Sequence, residues 1–256
     1  MRRLALFFMG ITLILSSCGQ NLELESLRTL DQGELIGLKG ENSTYTWKGV
    51  PFAEPPVGEL RWKETQKAKA WEGRLEASTF KQGCFQRASF LENGQGKWSG
   101  GEDCLYLNIW TPQLSNQEIK NSSQKLPVMM WIHGGANVVG SAHTYDPSSL
   151  VSNHDVVVVT IQYRMGPLGW FRHPALHTEE SSLEDRSGNY GTLDTIMALR
   201  WINENIHHFG GDSQNVTVFG ESAGGHNSAA IFASPLAQGL FHKVIVESGI
   251  MSVSSI

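Results

Sequence analysis

Ser222 stands in Gly220-Glu221-Ser222-Ala223-Gly224, a serine with a glycine two residues away on either side. Alone the pattern is a weak signal, because a Gly/Ser-rich turn of purely structural use would read the same. Its context adds weight. Val216-Thr217-Val218-Phe219 leads in as a strand, and Ala223-Gly224-Gly225 leads out as the small-residue start of a helix. Strand, sharp turn and helix make a nucleophile elbow, which lifts the serine hydroxyl out of the sheet. Side chains two residues either side of such a turn would collide, so glycine is needed at both places. The helix then presents its N-terminal amides and positive dipole end to developing negative charge. A second candidate is His133-Gly134-Gly135-Ala136-Asn137, directly after an apolar run. A Gly-rich turn at a strand's C-terminal edge can offer backbone N–H groups to an oxyanion, and ligands bind at that edge in α/β sheets. By itself this turn reads equally well as structural. Taken with Ser222 it makes a functional pair, a hydroxyl nucleophile and donors for a tetrahedral intermediate.

The apolar pattern supplies the elements that must position this pair. Val128-Met129-Met130-Trp131-Ile132 and Val156-Val157-Val158-Val159-Thr160-Ile161 are near-continuous apolar runs, as in strands buried on both faces. Leu105 to Trp110 reads as an alternating strand, and Lys243 to Glu247 as a further strand after the elbow. Leu193, Ile196, Leu199, Ile202, Ile206 and Phe209 recur at three- and four-residue steps. That predicts an amphipathic helix between Tyr190 and Phe209, ended by Gly210-Gly211. Upstream, Leu35 to Leu38 and Thr44 to Trp47 read as small strands. Gly49-Val50-Pro51 and Pro55-Pro56-Val57-Gly58 read as loops, and residues 63–103 as irregular. The polar stretch Ser115 to Lys125 reads as an exposed hairpin tip or loop. Strands alternating with helices predict an α/β fold, mostly parallel, with helices on both faces. Nothing beyond the strand at 243–247 could cover it, so the fold is expected to be incomplete at the C-terminus.

Longer stretches carry a resemblance. Residues 209–224, Phe-Gly-Gly-Asp-Ser-Gln-Asn-Val-Thr-Val-Phe-Gly-Glu-Ser-Ala-Gly, resemble the nucleophile signature of type-B carboxylesterases and cholinesterases, a family of α/β-hydrolases. Residues 102–109, Glu-Asp-Cys-Leu-Tyr-Leu-Asn-Ile, resemble its second signature. Lys48 to Pro56, Tyr163 to Gly166 and Gly188 to Gly191 match in the same order, so the resemblance runs from about residue 30 to 250. It implies an α/β-hydrolase fold and hydrolysis of a carboxylic ester through an acyl-enzyme. Ser222 would be the nucleophile, with Gly135, Ala136 and Ala223 as the oxyanion-hole amides. Cys84 and Cys104 match a family disulfide near the gorge entrance. Glu221 matches a residue that supports the site from beneath. Two positions depart from the pattern. Ala136 stands where many members have a third glycine, although the donor there is a backbone N–H, and Thr195 replaces a usual glutamine, read as structural.

The acid and histidine of a triad are the larger gap. In α/β-hydrolases they follow the serine in the order serine, acid, histidine. After Ser222 come only His226, His242 and one acid, Glu247. His226 lies one helical turn on and reads as a packing or surface residue, and His242 precedes the acid, the wrong order. The histidines before Ser222 read as surface or turn residues. The resemblance places acid and histidine far downstream, in a part about as long as this chain, and so implies a truncated sequence. The 256-residue chain alone is then expected to be nearly inactive and poorly folded, and the complete protein to be an esterase. A rival reading is a non-catalytic cell-surface adhesion module of the same fold. Such relatives typically lose the nucleophile, whereas Ser222, its glycines and the turn at 133–137 are all intact here.

Charge and cysteines bound the partners. A net charge of −5, with no Lys/Arg stripe after the first three residues, excludes nucleic acid. The histidines show no H-E-x-x-H spacing and no acidic cluster joins them, so neither metal nor cofactor is expected. The N-terminus reads as an address. Arg2-Arg3 precedes the apolar stretch Leu4 to Leu15, which as a helix covers about 18 Å, short of the ~30 Å needed to span a bilayer. Leu15-Ser16-Ser17-Cys18 resembles a bacterial lipobox, which implies acylation of Cys18 and a stable membrane anchor; the alternative is a plain secretory peptide with a chance cysteine. Residues 1–18 are then a signal peptide, 19–30 a polar tether, and 31–256 the N-terminal part of the carboxylesterase domain. The destination is periplasmic or cell-surface, with Gly19 leaning towards an outer membrane. In an exported protein the remaining pair, Cys84 and Cys104, suggests one disulfide rather than two free thiols.

Overall fold

Residues 22–87 and 96–250 are described in the computed structural model. The lipobox-like Cys18 and the first part of the tether lie outside them. A seven-stranded sheet organises the chain. Its strands are β1 (Leu38–Lys39), β2 (Thr44–Pro51), β3 (Tyr106–Pro112), β4 (Leu126–Ile132), β5 (Val157–Ile161), β6 (Gly211–Glu221) and β7 (Lys243–Glu247). They lie in the order β7-β6-β4-β5-β3-β2-β1. The half from β7 to β5 is parallel, with Val157 opposite Val128 and Val218 opposite both Met130 and Val244. From β5 to β1 every pairing is antiparallel. The sheet is therefore mixed, and the parallel half carries Ser222 and the Gly-rich turn.

Both faces are covered because both parities of the strands are apolar. Val157, Val159 and Ile161 join a core with Val128, Met130, Ile132, Ile196, Leu199, Ile202 and Phe209. Val156 and Val158 join Trp110 and Val151 in a second cluster on the opposite face. The first layer includes helix α3 (Tyr190–Asn205); the second is supplied by helix α2 (Ser148–His154). Each fully buried Val or Ile stabilises the fold by about 1.5–3 kcal/mol. The expected alternation of Leu105 to Trp110 fails for the same reason: β3 is buried through its whole middle, from Leu107 to Thr111.

Other local expectations are corrected by specific contacts. Strand β2 runs on through Gly49-Val50-Pro51, where a loop was predicted, because an irregularity after Trp47 absorbs the break. Gly49 there takes φ +73°, and its N–H donates to Asn108 Oδ1 at 2.9 Å. The polar stretch Ser115 to Lys125 begins with helix α1 (Asn116–Asn121). Its capping box is complete, with Ser115 Oγ accepting from Glu118 N–H and the Glu118 carboxylate accepting from Ser115 N–H. Within 63–103 the short strands Arg74–Glu76, Gln86–Arg87 and Trp98–Ser99 form.

Cys84 and Cys104 are joined in a disulfide with their Cα atoms 4.9 Å apart, and both are buried. In the chain-entropy account, closing a loop of this length stabilises by about 3 kcal/mol. At the far edge of the sheet β7 leaves Ile245 and Val246 about two-fifths exposed, and its outer backbone groups have no strand beside them among the described residues.

Candidate active site

Strand β6 delivers the chain to Ser222, and helix α4 (Ala223–Ala233) leaves from it. Ser222 has φ 55° and ψ −119°, a conformation that L residues adopt only at a cost of about 1–3 kcal/mol. The glycines make it possible. A Cβ on Gly220 would lie 2.6 Å from the carbonyl of Gly224 and from Ile132 O, and one on Gly224 would run into the Ile132 carbonyl. The turn is pinned on both sides, since Ser222 N–H donates to Glu247 O at 2.9 Å and Ser222 O accepts from His226 N–H at 3.0 Å. Among the described residues the Ser222 hydroxyl has no hydrogen-bond partner. It sits at the N-terminus of α4, where the amides of Ala223 and its successors face outward with the positive dipole end.

The Gly-rich turn lies against this serine. A Cβ placed on Gly134 would be 3.3 Å from Ser222 Cβ. Gly135, Ala136 and Asn137 follow with φ of 107°, 55° and 59°. The left-handed value at Ala136 explains why glycine suits that position, and alanine bears a strain of about 1–2 kcal/mol there. Val138 and Val139 N–H both donate to Gly135 O at 3.0 Å, which closes the turn. Among the described residues no backbone hydrogen bond takes up the Gly135 or Ala136 N–H, so both donors are free for an oxyanion. Beside the turn, Val138, Met165, Leu168, Phe85 and Trp98 line an open cavity of about 430 Å³.

Several residues given no role in the site from sequence hold the turn in place. Asn227, one turn into α4, donates from Nδ2 to Asn137 Oδ1 at 2.9 Å. Asn137 O accepts from Gly166 N–H at 2.6 Å. Gly166 belongs to the Tyr163 to Gly166 segment, which a buried ion pair fixes. Arg164 donates to the Asp194 carboxylate from Nε, Nη2 and its backbone N–H, with Nη2–Oδ1 at 2.8 Å. Asp194 is fully buried, so this pair is satisfied rather than orphaned. On the other flank Gln86 bonds the backbone of Gly140.

His133 opens the glycine-rich turn but is fully buried, so it is not a surface residue. Its ring stacks on Tyr163 with centroids 4.4 Å apart, and Tyr163 O–H donates to His133 O at 2.7 Å. Nδ1, assigned as the protonated nitrogen, donates to Gly134 O at 2.8 Å, while Nε2 is buried without a partner among the described residues. Burial pushes the imidazole pKa down to about 4, from an ordinary 6.5. Between those values the unfolded chain binds a proton that the folded one refuses. This group's contribution to stability is therefore complete above pH 6.5 and falls as pH drops towards 4, by at most about 1.4 kcal/mol per pH unit. Urea denaturation of a His133→Gln variant is expected to lose one proton's worth of that slope, and an unchanged slope would refute the assignment.

The other histidines lie elsewhere. His226 is exposed, with Nδ1 2.6 Å from Ile250 O. His242 accepts from Val216 N–H at 3.2 Å. His173 and His177 stand four residues apart, but on a 3₁₀ turn (Pro174–Leu176), and no group of three metal-ligating side chains gathers among the described residues. No histidine ring among the described residues hydrogen-bonds a carboxylate or the Ser222 hydroxyl. Glu221 is exposed beside Gly134, its Oε2 3.2 Å from where a Cβ on that glycine would sit.

A strained serine between strand and helix, facing a Gly-rich turn at the C-terminal edge of the parallel strands, is the architecture of an α/β-hydrolase. The family model described as the carboxylesterase family matches residues 25–255. The chain is 41% identical to a human cocaine esterase over 97% of its own length and 44% of that protein's. It is 45% identical to the para-nitrobenzyl esterase of Bacillus subtilis over 86% of its length and 43% of the relative's. Among solved structures, a PNB esterase superposes with a TM-score of 0.75 at 42% identity, covering 88% of this chain and 44% of that one. A carboxylesterase of Geobacillus stearothermophilus superposes at 0.73 with 38% identity, covering 86% of this chain and 43% of that one. The chain belongs to the carboxylesterase family. It spans less than half the length of these relatives.

Proposed function

We propose that the protein carrying this chain hydrolyses carboxylic esters through Ser222, with the amides of Gly135, Ala136 and Ala223 receiving the oxyanion. The observation that carries this reading is Ser222 at φ 55°, held against the Gly134 turn. In the first half-reaction the Ser222 oxygen adds to the acyl carbon while its proton passes to a general base. The carbonyl electron pair moves to the oxygen, where the backbone N–H groups hold it. Collapse expels the alcohol, which takes the proton, and leaves an acyl-enzyme that water clears by the same route. The general base is taken to be a histidine outside the described residues, in keeping with the serine–acid–histidine order of the fold. The cavity beside Val138 gives an apolar part of the ester a surface to bury. A fluorophosphonate probe is expected to label the full-length protein at Ser222 and to leave Ser222→Ala unlabelled. Absence of both label and hydrolysis of p-nitrophenyl esters would overturn the reading.

The place of action is part of the same reading: an exported lipoprotein anchored through Cys18, on the periplasmic or cell-surface side. Leu15-Ser16-Ser17-Cys18 supports it, as does the Cys84–Cys104 disulfide, a bond that persists in oxidising compartments. Metabolic palmitate labelling is expected to mark the protein and to vanish in Cys18→Ser, with the variant shifting from the membrane to the soluble fraction. Unlabelled, soluble parent protein would refute the anchor.

A further inference from the structure

We infer that the side chain of Gln86 is a positioning residue for the oxyanion hole, holding the 133–140 turn so that the Gly135 N–H keeps its aim. The inference rests on the reading of Ser222 as an ester nucleophile. Gln86 is 8% exposed, and its carboxamide is spent on backbone. Oε1 accepts from Gly140 N–H at 2.8 Å, while Nε2 donates to Gly140 O at 2.9 Å and to Cys84 O at 3.1 Å. One amide side chain thus takes both polar groups of Gly140 and bonds them as a neighbouring strand would.

Gly140 in turn bears on the catalytic peptide. It takes φ +119°, and a Cβ on it would lie 2.5 Å from Gly134 O and 2.6 Å from His133 Nδ1. The Gly134 carbonyl and the Gly135 N–H belong to one planar peptide unit. His133 Nδ1 bonds that carbonyl, and Gly140 stands so close beside the pair that a Cβ on it would run into both groups. A shift of Gly140 lets the plane rotate, and the N–H on its far end swings with it. Gln86 itself has a firm base, because Cys84 two residues earlier is tied to the buried Cys104 just before β3. The disulfide loop and the oxyanion turn, far apart in sequence, are joined through this carboxamide.

Losing one oxyanion donor outright slows acyl transfer by about 10²–10³-fold, and a displaced donor by less. For Gln86→Met in the full-length protein, kcat is expected to fall about 10–100-fold with KM changed less than threefold, since the contact matters only once the oxyanion forms. Affinity for a trifluoromethyl ketone, whose adduct with Ser222 mimics the tetrahedral intermediate, is expected to fall in the same proportion. Gln86→Glu keeps the acceptor for Gly140 N–H and loses the donor, and is expected to lie between the two. It also serves if the methionine variant fails to fold. Hydrogen exchange of residues 134–140 is expected to quicken at least tenfold in either variant, with β4 and β6 unchanged. A kcat within twofold of the parent, or a loss confined to KM or thermal stability, overturns the inference. Unchanged exchange at 134–140 overturns the clamp whether or not the parent hydrolyses esters, whereas failure of the parent alone to hydrolyse any ester overturns only the proposed function.

Discussion

Ser222→Ala is expected to lower ester hydrolysis by the full-length protein by roughly 10⁶-fold, while leaving the fold intact. Covalent catalysis splits acyl transfer into two easier steps, and without the hydroxyl there is no acyl-enzyme. What survives is the contribution of oxyanion donors and substrate binding, about 10³–10⁴ over water. The structure adds a stability test. At φ 55° and ψ −119° any residue with a Cβ is strained, so alanine inherits the strain and the melting temperature should hardly move. Ser222→Gly is expected to be equally inactive yet more stable by about 1 kcal/mol or more, because glycine occupies this region without penalty. A glycine variant no more stable than the alanine variant would show that the backbone at the elbow is not strained as described. Activity surviving in either variant would place the nucleophile elsewhere.

Gly224→Ala is expected to cost about 3 kcal/mol or more and to remove activity with the fold. The new methyl group would collide with the Ile132 carbonyl and come within 3.0 Å of His133 O. Both are main-chain atoms at the end of β4, between β6 and β5, so no side-chain rotation can make room. Relief would need α4 to lift from the sheet, which breaks the elbow and the contact between Asn227 and Asn137 together. Gly239→Ala provides the control. It carries φ +79° but has nothing within 4 Å of the added Cβ, so it reports left-handed strain alone, about 1–2 kcal/mol. The difference in denaturation free energy between the two variants isolates the collision. If they prove equally stable, close packing is not why glycine stands at 224.

The site was legible where chemistry demands a residue type at a fixed spacing. Gly220, Ser222 and Gly224 had to appear together because a turn this tight excludes side chains. The strands at 128–132 and 157–161 and the helix from Tyr190 were legible because burial on one or two faces leaves an apolar record. The strand at 243–247 was legible from its β-branched run, although that strand is mostly exposed. Cys84 and Cys104 are paired, as the family resemblance implied. Helix α1 was missed although Ser115 and Glu118 spell a capping box, because its polarity suggested a loop. The burial of His133 was missed because one imidazole within a glycine turn carries no periodicity from which to read depth.

What the sequence by itself determined is the local part: the sharp strand–serine–helix turn, the glycine-rich turn after the buried strand, and the apolar runs that make the sheet. Each follows from steric or hydrophobic rules acting over a few neighbouring residues. Only the tertiary structure decided that Gly134 lies against Ser222, that Asp194 holds Arg164 behind the turn, and that Asn227 and Gln86 grip it from opposite flanks. Gln86 and Gly140, like Asn137 and Asn227, are joined by single hydrogen-bonding groups across long stretches of chain. Such a bond needs no particular neighbours in sequence and leaves no pattern there. Between Asn137 and Asn227 it exists because the strands before them lie side by side in the sheet. Between Gln86 and Gly140 it exists because the segment carrying Gln86 folds over the turn and is tied down through the Cys84–Cys104 disulfide.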